Sequence, residues 1–144
     1  MDSIIIMMWY GMENWADMEI SFFVYGSLLF EDVWEQLIGR RPLVHPTRLL
    51  GYRRYSVEEA FYPGMWFSEM DQVEGGVVLL TKQEECCIDD YEGEEYIKTV
   101  VPICDVEGIV SARTYLRPPF DLKEWDTEWT EDIFHQYRRG FFSF

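Results

Sequence analysis

Runs of apolar residues divide the chain into short extended segments separated by turns. Ile20–Tyr25 is a continuous β-branched and aromatic run, which predicts a buried strand that ends at the following Gly-Ser pair. Thr47–Ser56, interrupted at Gly51, predicts a second strand, and Gly75–Leu80 predicts a third. Tyr62–Phe67 predicts only a short extended piece, because a Pro-Gly pair punctuates it.

Two helices are predicted between these segments. The first begins at about Phe30, places its apolar residues on one face and ends before Gly39. Thr81 and Glu84 form the Thr-x-x-Glu pattern of a capping box, which predicts a short helix from Thr81 to about Tyr91.

A final helix is predicted after the Pro-Pro pair near the C-terminus. Asp121 and Glu124 fit the N-cap and N3 positions, and Phe120 and Trp125 fit a hydrophobic staple. The same helix is predicted to continue through a buried stripe of Trp125, Trp129, Ile133 and Tyr137.

Together these elements indicate an α+β fold with a mostly antiparallel or mixed sheet or barrel. Tyr96–Val106 and Val110–Leu116 complete it as a predicted hairpin. The 144 residues are enough for one domain. We therefore expect a domain over residues 20–144, preceded by an arm of unknown role over residues 1–19.

Composition narrows the classes of partner. Apolar residues make up 48% of the chain and aromatic residues 17%, which excludes a disordered protein. The net charge of −15 would repel a nucleic-acid backbone and an anionic membrane surface, so neither is an expected partner. No apolar run reaches the length of about 20 residues that a membrane-spanning helix needs.

The acidity is concentrated in three segments. Residues 1–19, 82–95 and 121–132 carry net charges of −4, −6 and −5, which together account for the whole net charge. The first and last are interpreted as solvated surface. The middle segment needs its own explanation, because it contains seven acids and one lysine around a predicted helix end.

The cysteines indicate a reducing environment. Cys86, Cys87 and Cys104 are odd in number, two of them are adjacent, and their spacing is not that of a zinc site. We expect buried reduced thiols, a cytoplasmic location, and neither a metal nor another cofactor.

The first segment that could carry chemistry is Phe23–Leu29, with the sequence Phe-Val-Tyr-Gly-Ser-Leu-Leu. A buried strand that feeds a Gly-Ser turn at a helix start exposes backbone N–H groups, which bind carboxylates or oxyanions. An ordinary strand-to-helix turn is the alternative, and the residues alone favour it.

The second segment is Ile88–Tyr96, the centre of the middle acidic cluster. Glu92 falls at the C-terminal end of a predicted helix, where the helix dipole and neighbouring acids raise a carboxyl pKa, as does burial under flanking tyrosines. A raised pKa suits a general acid/base near neutral pH. A solvated acidic turn is the alternative, and the residues alone favour it, whereas the ligand pattern of a calcium loop is absent.

Taken together, the two segments resemble the γ-glutamylcyclotransferase superfamily, most closely its AIG2-like branch, known from plants. The resemblance also rests on Tyr62-Pro63-Gly64, on Gly51–Ser56 and on Tyr96-x-Lys98, and it covers residues 22–140. It implies a small mixed or antiparallel β-barrel with flanking helices. Relatives usually carry Arg at the position of Lys98.

The resemblance also assigns the site residues. It implies a substrate pocket formed by Tyr25, Gly26, Ser27 and Leu28, a catalytic Glu92, and a nearby Tyr115 from a late strand. The implied reaction releases 5-oxoproline from a γ-glutamyl amine or γ-glutamyl peptide by intramolecular aminolysis, with Glu92 as general acid/base and no metal or other cofactor.

The implied partner is therefore a small γ-glutamyl substrate. The seven methionines and six tryptophans could in addition supply the apolar contact of a homo-oligomer. The alternative is a non-catalytic module on the same fold that binds a small ligand or another protein.

Overall fold

The computed structural model describes residues 19–57, 62–105, 108–133 and 135. Apart from Glu19, the predicted N-terminal arm lies outside these residues. In chain order the described elements are β1 (Glu19–Val24), a 3₁₀ turn (Ser27–Leu29), α1 (Glu31–Ile38), β2 (His45–Ser56), β3 (Pro63–Thr81), α2 (Lys82–Glu92), β4 (Ile97–Asp105), β5 (Gly108–Leu116) and α3 (Leu122–Asp126).

The strands form one mixed sheet in the order β2-β3-β1-β5-β4, in which β1 and β5 are parallel and the other neighbours antiparallel. The predicted α+β class is confirmed. The predicted barrel is not closed in the described residues, because no backbone ladder joins the edge strands β2 and β4. These edges approach each other, and the Thr47 hydroxyl donates to the Cys104 carbonyl at 3.3 Å.

A large irregularity in the strand pairing separates the two halves of the β2–β3 hairpin. Leu50 pairs with Gln72 and Tyr52 with Phe67, so residues 68–71 of β3 lie opposite Gly51 alone. Gly51 has a φ of 86°, a conformation that glycine adopts readily. The segments predicted as a short extended piece and a third strand therefore belong to one strand, and its pairing with β2 shifts register at Gly51, where the interruption was predicted.

The predicted caps of the middle and final helices are present. The Thr81 hydroxyl accepts the Glu84 N–H at 3.2 Å and the Glu84 carboxylate accepts the Thr81 N–H at 2.9 Å, which completes the capping box of α2. Asp121 accepts the Glu124 N–H at 2.7 Å at the start of α3.

The prediction of one continuous final helix is wrong. The helix α3 ends at Asp126, because the Thr127 carbonyl accepts the Ser56 N–H of β2 at 2.7 Å instead of a helical donor. Trp129 is buried as predicted, but Phe120 is 84% exposed, so the staple does not form. Residues 131–133 are helical again, and Tyr137 lies outside the described residues.

The central strand β1 separates two hydrophobic clusters. Phe22 and Val24 pack with Trp34 on the side of the helices, whereas Phe23 and Tyr25 pack with the residues of β2 to β5 on the other side. Alternate residues of a strand point to opposite faces, so burial on both faces explains the uninterrupted apolar run of β1.

The cysteine prediction is half right. All three thiols are free, but they are exposed rather than buried. Cys86 and Cys87 point outward because Glu85 and Ile88 occupy the inward face of α2. In the described part of the chain, no helix is both long and apolar enough to cross a membrane.

Candidate active site

A pocket of about 120 Å³ opens at the end of β1. It is smaller than the 300–1,000 Å³ typical of ligand pockets, so it suits a compact group. Twelve residues line it: Phe23, Val24, Tyr25, Gly26, Ser27, Leu28, Tyr62, Pro63, Tyr91, Glu92, Tyr96 and Tyr115. The structure thus brings together all six residues that the resemblance assigns, although their separation in the chain is large.

The turn that follows β1 packs tightly against the start of β3. A Cβ atom added to Gly26 would lie 2.7 Å from Cδ and 2.8 Å from Cγ of Pro63. The Pro63 carbonyl in turn accepts the Tyr96 hydroxyl at 2.7 Å, which fixes this proline. The turn therefore needs glycine for its close approach rather than for a positive φ.

We expect Gly26→Ala to lower the free energy of unfolding by about 1–3 kcal/mol, because the overlap with Pro63 forces the backbone to shift. Urea unfolding followed by tryptophan fluorescence measures this. Gly39→Ala, after α1, is the comparison. A Cβ atom there meets no neighbouring atom, so the expected loss is only the cost of about 1 kcal/mol of placing alanine at a φ of 76°. An unchanged unfolding midpoint for Gly26→Ala would show that the turn relaxes freely.

Three side chains fix the orientation of this turn. Arg54 donates to the Tyr25 carbonyl at 2.8 Å, and the Trp34 indole donates to the Leu28 carbonyl at 2.5 Å. Ser27 and Tyr91 share a hydrogen bond of 2.6 Å between their hydroxyls, which ties the turn to α2. The first N–H groups of a short helix have no acceptor within it, so those of Ser27 and Leu28 remain for another partner.

Glu92 faces this turn from the last position of α2. It is partly buried, and its carboxylate has no hydrogen-bond or ion-pair partner among the described residues. Burial raises its pKa to about 7. The predicted rise is present, but its cause is burial, whereas the sequence interpretation also invoked neighbouring acids.

Those neighbouring acids are partly neutralised by cations. Asp89 is paired with Lys98 at 2.9 Å, and Glu95 lies 3.9 Å from Arg117. The charges of these two acids are therefore partly offset, which agrees with burial as the cause of the raised pKa of Glu92.

Tyrosine hydroxyls surround the carboxylate. Burial raises the pKa of Tyr25, Tyr91, Tyr96 and Tyr115 above the ordinary value, and the charge of Glu92 adds to each rise. These phenols therefore stay protonated at neutral pH. In this setting Glu92 is the pocket group that can take up and release a proton near pH 7.

Sequence reasoning missed the side chains behind the pocket. The Tyr115 hydroxyl donates to Asp89 at 2.6 Å, and Arg54 holds the Tyr25 peptide from the other side. These contacts join residues that are distant in the chain, so no local pattern indicates them. In the described residues, no cluster of three His, Cys, Asp or Glu side chains is arranged to hold a metal ion.

Comparison with known proteins supplies the family. Residues 22–133 match the model of the family described as gamma-glutamyl cyclotransferase, AIG2-like. The chain belongs to this family. The match contains the second half of β1, the Gly-Ser turn, α2 with Glu92 and the strand that carries Tyr115, so every residue assigned to the pocket lies within it.

Individual relatives agree with this assignment. AIG2-like protein D of Arabidopsis thaliana is 33% identical over 118 residues, which span 73% of this chain and 78% of that protein. A solution structure of an Arabidopsis thaliana protein superimposes with a TM-score of 0.68 at 25% identity, covering 88% of this chain and 78% of the other.

A solved gamma-glutamyl cyclotransferase shares the fold. It has a TM-score of 0.61 at 19% identity and covers 70% of this chain and 68% of its own. The expected cyclotransferase-like fold is confirmed.

Proposed function

We propose that the protein is a γ-glutamylcyclotransferase, which releases 5-oxoproline from a γ-glutamyl amine or γ-glutamyl peptide. The observation that carries the proposal is the Glu92 carboxylate. This group lies in a pocket that the Tyr-Gly-Ser-Leu turn also lines, and its pKa is about 7. Membership of the gamma-glutamyl cyclotransferase, AIG2-like family supports it.

The proposed reaction needs one proton acceptor and no external nucleophile. The substrate arrives with its α-amine protonated, and Glu92 takes one proton from it. The amine nitrogen then attacks the γ-carbonyl carbon and forms the ring C–N bond. Glu92 gives its proton to the leaving nitrogen as the bond between that nitrogen and the γ-carbon breaks. The carboxylate then takes the second proton from the ring nitrogen, which keeps one hydrogen as the amide N–H of 5-oxoproline, and passes that proton to the released amine, so 5-oxoproline and an ammonium ion are the products.

The turn after β1 would stabilise the charge that develops on the carbonyl oxygen. The N–H groups of Gly26, Ser27 and Leu28 are the proposed donors, since the neighbouring carbonyls of Tyr25 and Leu28 are held by Arg54 and Trp34. Fixed donors need no reorganisation during the reaction, which is the basis of oxyanion stabilisation.

Intramolecular attack explains the modest size of the pocket. Nucleophile and electrophile belong to the same five-carbon unit, so the protein has to hold that unit in a ring-like pose. Tyr62, Tyr91 and Tyr96 add aromatic walls around it. The free thiols of the described residues fit the reducing cytoplasm, where we propose that the protein acts.

The direct test incubates the purified protein with γ-glutamyl amines, γ-glutamyl dipeptides and ε-(γ-glutamyl)lysine. Formation of 5-oxoproline is followed by chromatography and mass spectrometry against a no-enzyme control. We expect catalysed release from at least one of these classes. Binding of γ-glutamyl compounds without any product would instead establish a non-catalytic ligand-binding module.

A further inference from the structure

Asp89 lies one helical turn before Glu92 on α2, yet the proposed reaction gives it no role. It does not line the pocket, and its side chain is 40% exposed. Its carboxylate accepts the hydroxyl hydrogen of Tyr115 at 2.6 Å, and Tyr115 is a pocket-lining residue that is only 6% exposed. Asp89 therefore reaches the pocket through the Tyr115 hydroxyl.

An ionic cluster around the buried Glu85 carboxylate holds Asp89 in place. The Lys98 ammonium donates to both Asp89 oxygens, at 2.9 and 3.1 Å, and to Glu85 at 3.1 Å. Glu85 is 1% exposed and also accepts hydrogen bonds from Lys82 and Arg113. Burial alone would raise the pKa of Glu85, but these three cations outweigh it and lower that pKa to about 2.

The contact with Asp89 decides which role the Tyr115 oxygen can play. A phenol has one hydrogen to donate, so a hydroxyl that donates to Asp89 offers only lone pairs in other directions. Tyr25 donates to the Tyr115 carbonyl at 2.5 Å and Tyr96 donates to the Pro63 carbonyl at 2.7 Å. Three tyrosine oxygens of the pocket are thus limited to accepting hydrogen bonds.

We infer that Asp89 is a positioning residue that fixes the Tyr115 hydroxyl as an acceptor, and that the resulting acceptor set selects ligands with a primary ammonium group. An ammonium offers three donors and a positive charge, which match the tyrosine oxygens and Glu92. The inference rests on the proposed function only for the identity of that ammonium, the α-amine of a γ-glutamyl group.

The test compares two ligands that differ in this group alone. L-Glutamine is the smallest γ-glutamyl amide, and glutaramic acid is the same molecule without the ammonium. Isothermal titration calorimetry measures the affinity of each for the full-length protein. We expect the wild type to bind L-glutamine about tenfold or more tightly than glutaramic acid. This is the difference in Kd that one charge-assisted hydrogen bond produces.

Two variants probe the mechanism of selection. In Asp89→Asn the new amide can donate to the Tyr115 oxygen and turn its hydrogen into the pocket. We expect the preference for L-glutamine to fall to about threefold or less, while the affinity for glutaramic acid stays within about twofold. Tyr115→Phe removes the oxygen itself and should produce the same loss.

The control is Asp90→Asn, which makes the same charge change at the next residue of α2. Asp90 is exposed and does not line the pocket, so the preference should remain at the wild-type value. An equal loss of affinity for both ligands in Asp89→Asn and Tyr115→Phe would show a purely structural role and overturn the inference.

The same experiment separates this inference from the proposed function. Equal affinities of the two ligands for the wild type, or no binding of either, would overturn the inference even if 5-oxoproline is released from other substrates. A preference for L-glutamine that depends on Asp89, in a protein that releases no 5-oxoproline, would support the inference and refute the proposed activity.

Discussion

Glu92→Gln is expected to lower the rate of 5-oxoproline release by about 10²–10⁴-fold, the usual contribution of a general acid/base. The amide keeps the size and shape of the side chain but cannot take up a proton from the substrate amine. Steady-state kinetics on the best γ-glutamyl substrate measure kcat and KM for both proteins. The loss should appear chiefly in kcat, with a smaller rise in KM, because the pocket keeps its shape but loses the charge that faces the substrate ammonium.

Glu94→Gln is the matched control. Glu94 is exposed, follows Gly93 outside the helix and does not line the pocket, so removing its charge should leave the rate within about twofold of the wild type. A Glu92→Gln variant that keeps most of its activity would eliminate this carboxylate as the base. Equal losses in the two variants would point to a general effect of the negative charge instead.

The same substitution should make the protein more stable at alkaline pH. The pKa of Glu92 is about 7 in the folded chain and about 4.3 when unfolded, so the folded state holds its proton more tightly. The contribution of Glu92 to stability is therefore greatest at acid pH and is lost as the pH rises from about 4 to about 7. Glutamine cannot ionise and escapes this loss.

We expect Glu92→Gln to raise the free energy of unfolding by about 3–4 kcal/mol at pH 8, and by about 1.5 kcal/mol at pH 5.5. Urea unfolding at the two pH values measures the difference, and both lie above the sequence pI of 4.3, where solubility is lowest. Glu94→Gln should show no such pH-dependent gain. A Glu92→Gln protein that is no more stable than the wild type at pH 8 would contradict a buried, costly carboxylate.

Local signals in the sequence predicted the helix starts. The caps at Thr81 and Asp121 depend on residues within one turn, so they are visible in the sequence and present in the structure. The end of the final helix depends on a hydrogen bond from Ser56, which lies on another element. Such a contact overrides the periodicity of the apolar residues and has no local signature.

The same distinction applies to the pocket. Five of its residues are assigned by their place in two family motifs and Tyr115 by its place on a late strand, and the fold brings all six together. The raised pKa of Glu92 agrees with the sequence prediction, but its single cause does not, because the ion pair of Asp89 with Lys98 joins two elements, α2 and β4, that no local pattern connects. The link from Asp89 to Tyr115 was missed for the same reason.

The central claim is that Glu92 changes its protonation state near neutral pH. Carbon-13 NMR of selectively labelled glutamate side chains, with the Glu92 signal assigned by its absence from Glu92→Gln, measures this directly. The account predicts a titration midpoint at about pH 7 for that carboxyl. A midpoint near 4.3, the value of an unperturbed glutamate, would contradict it.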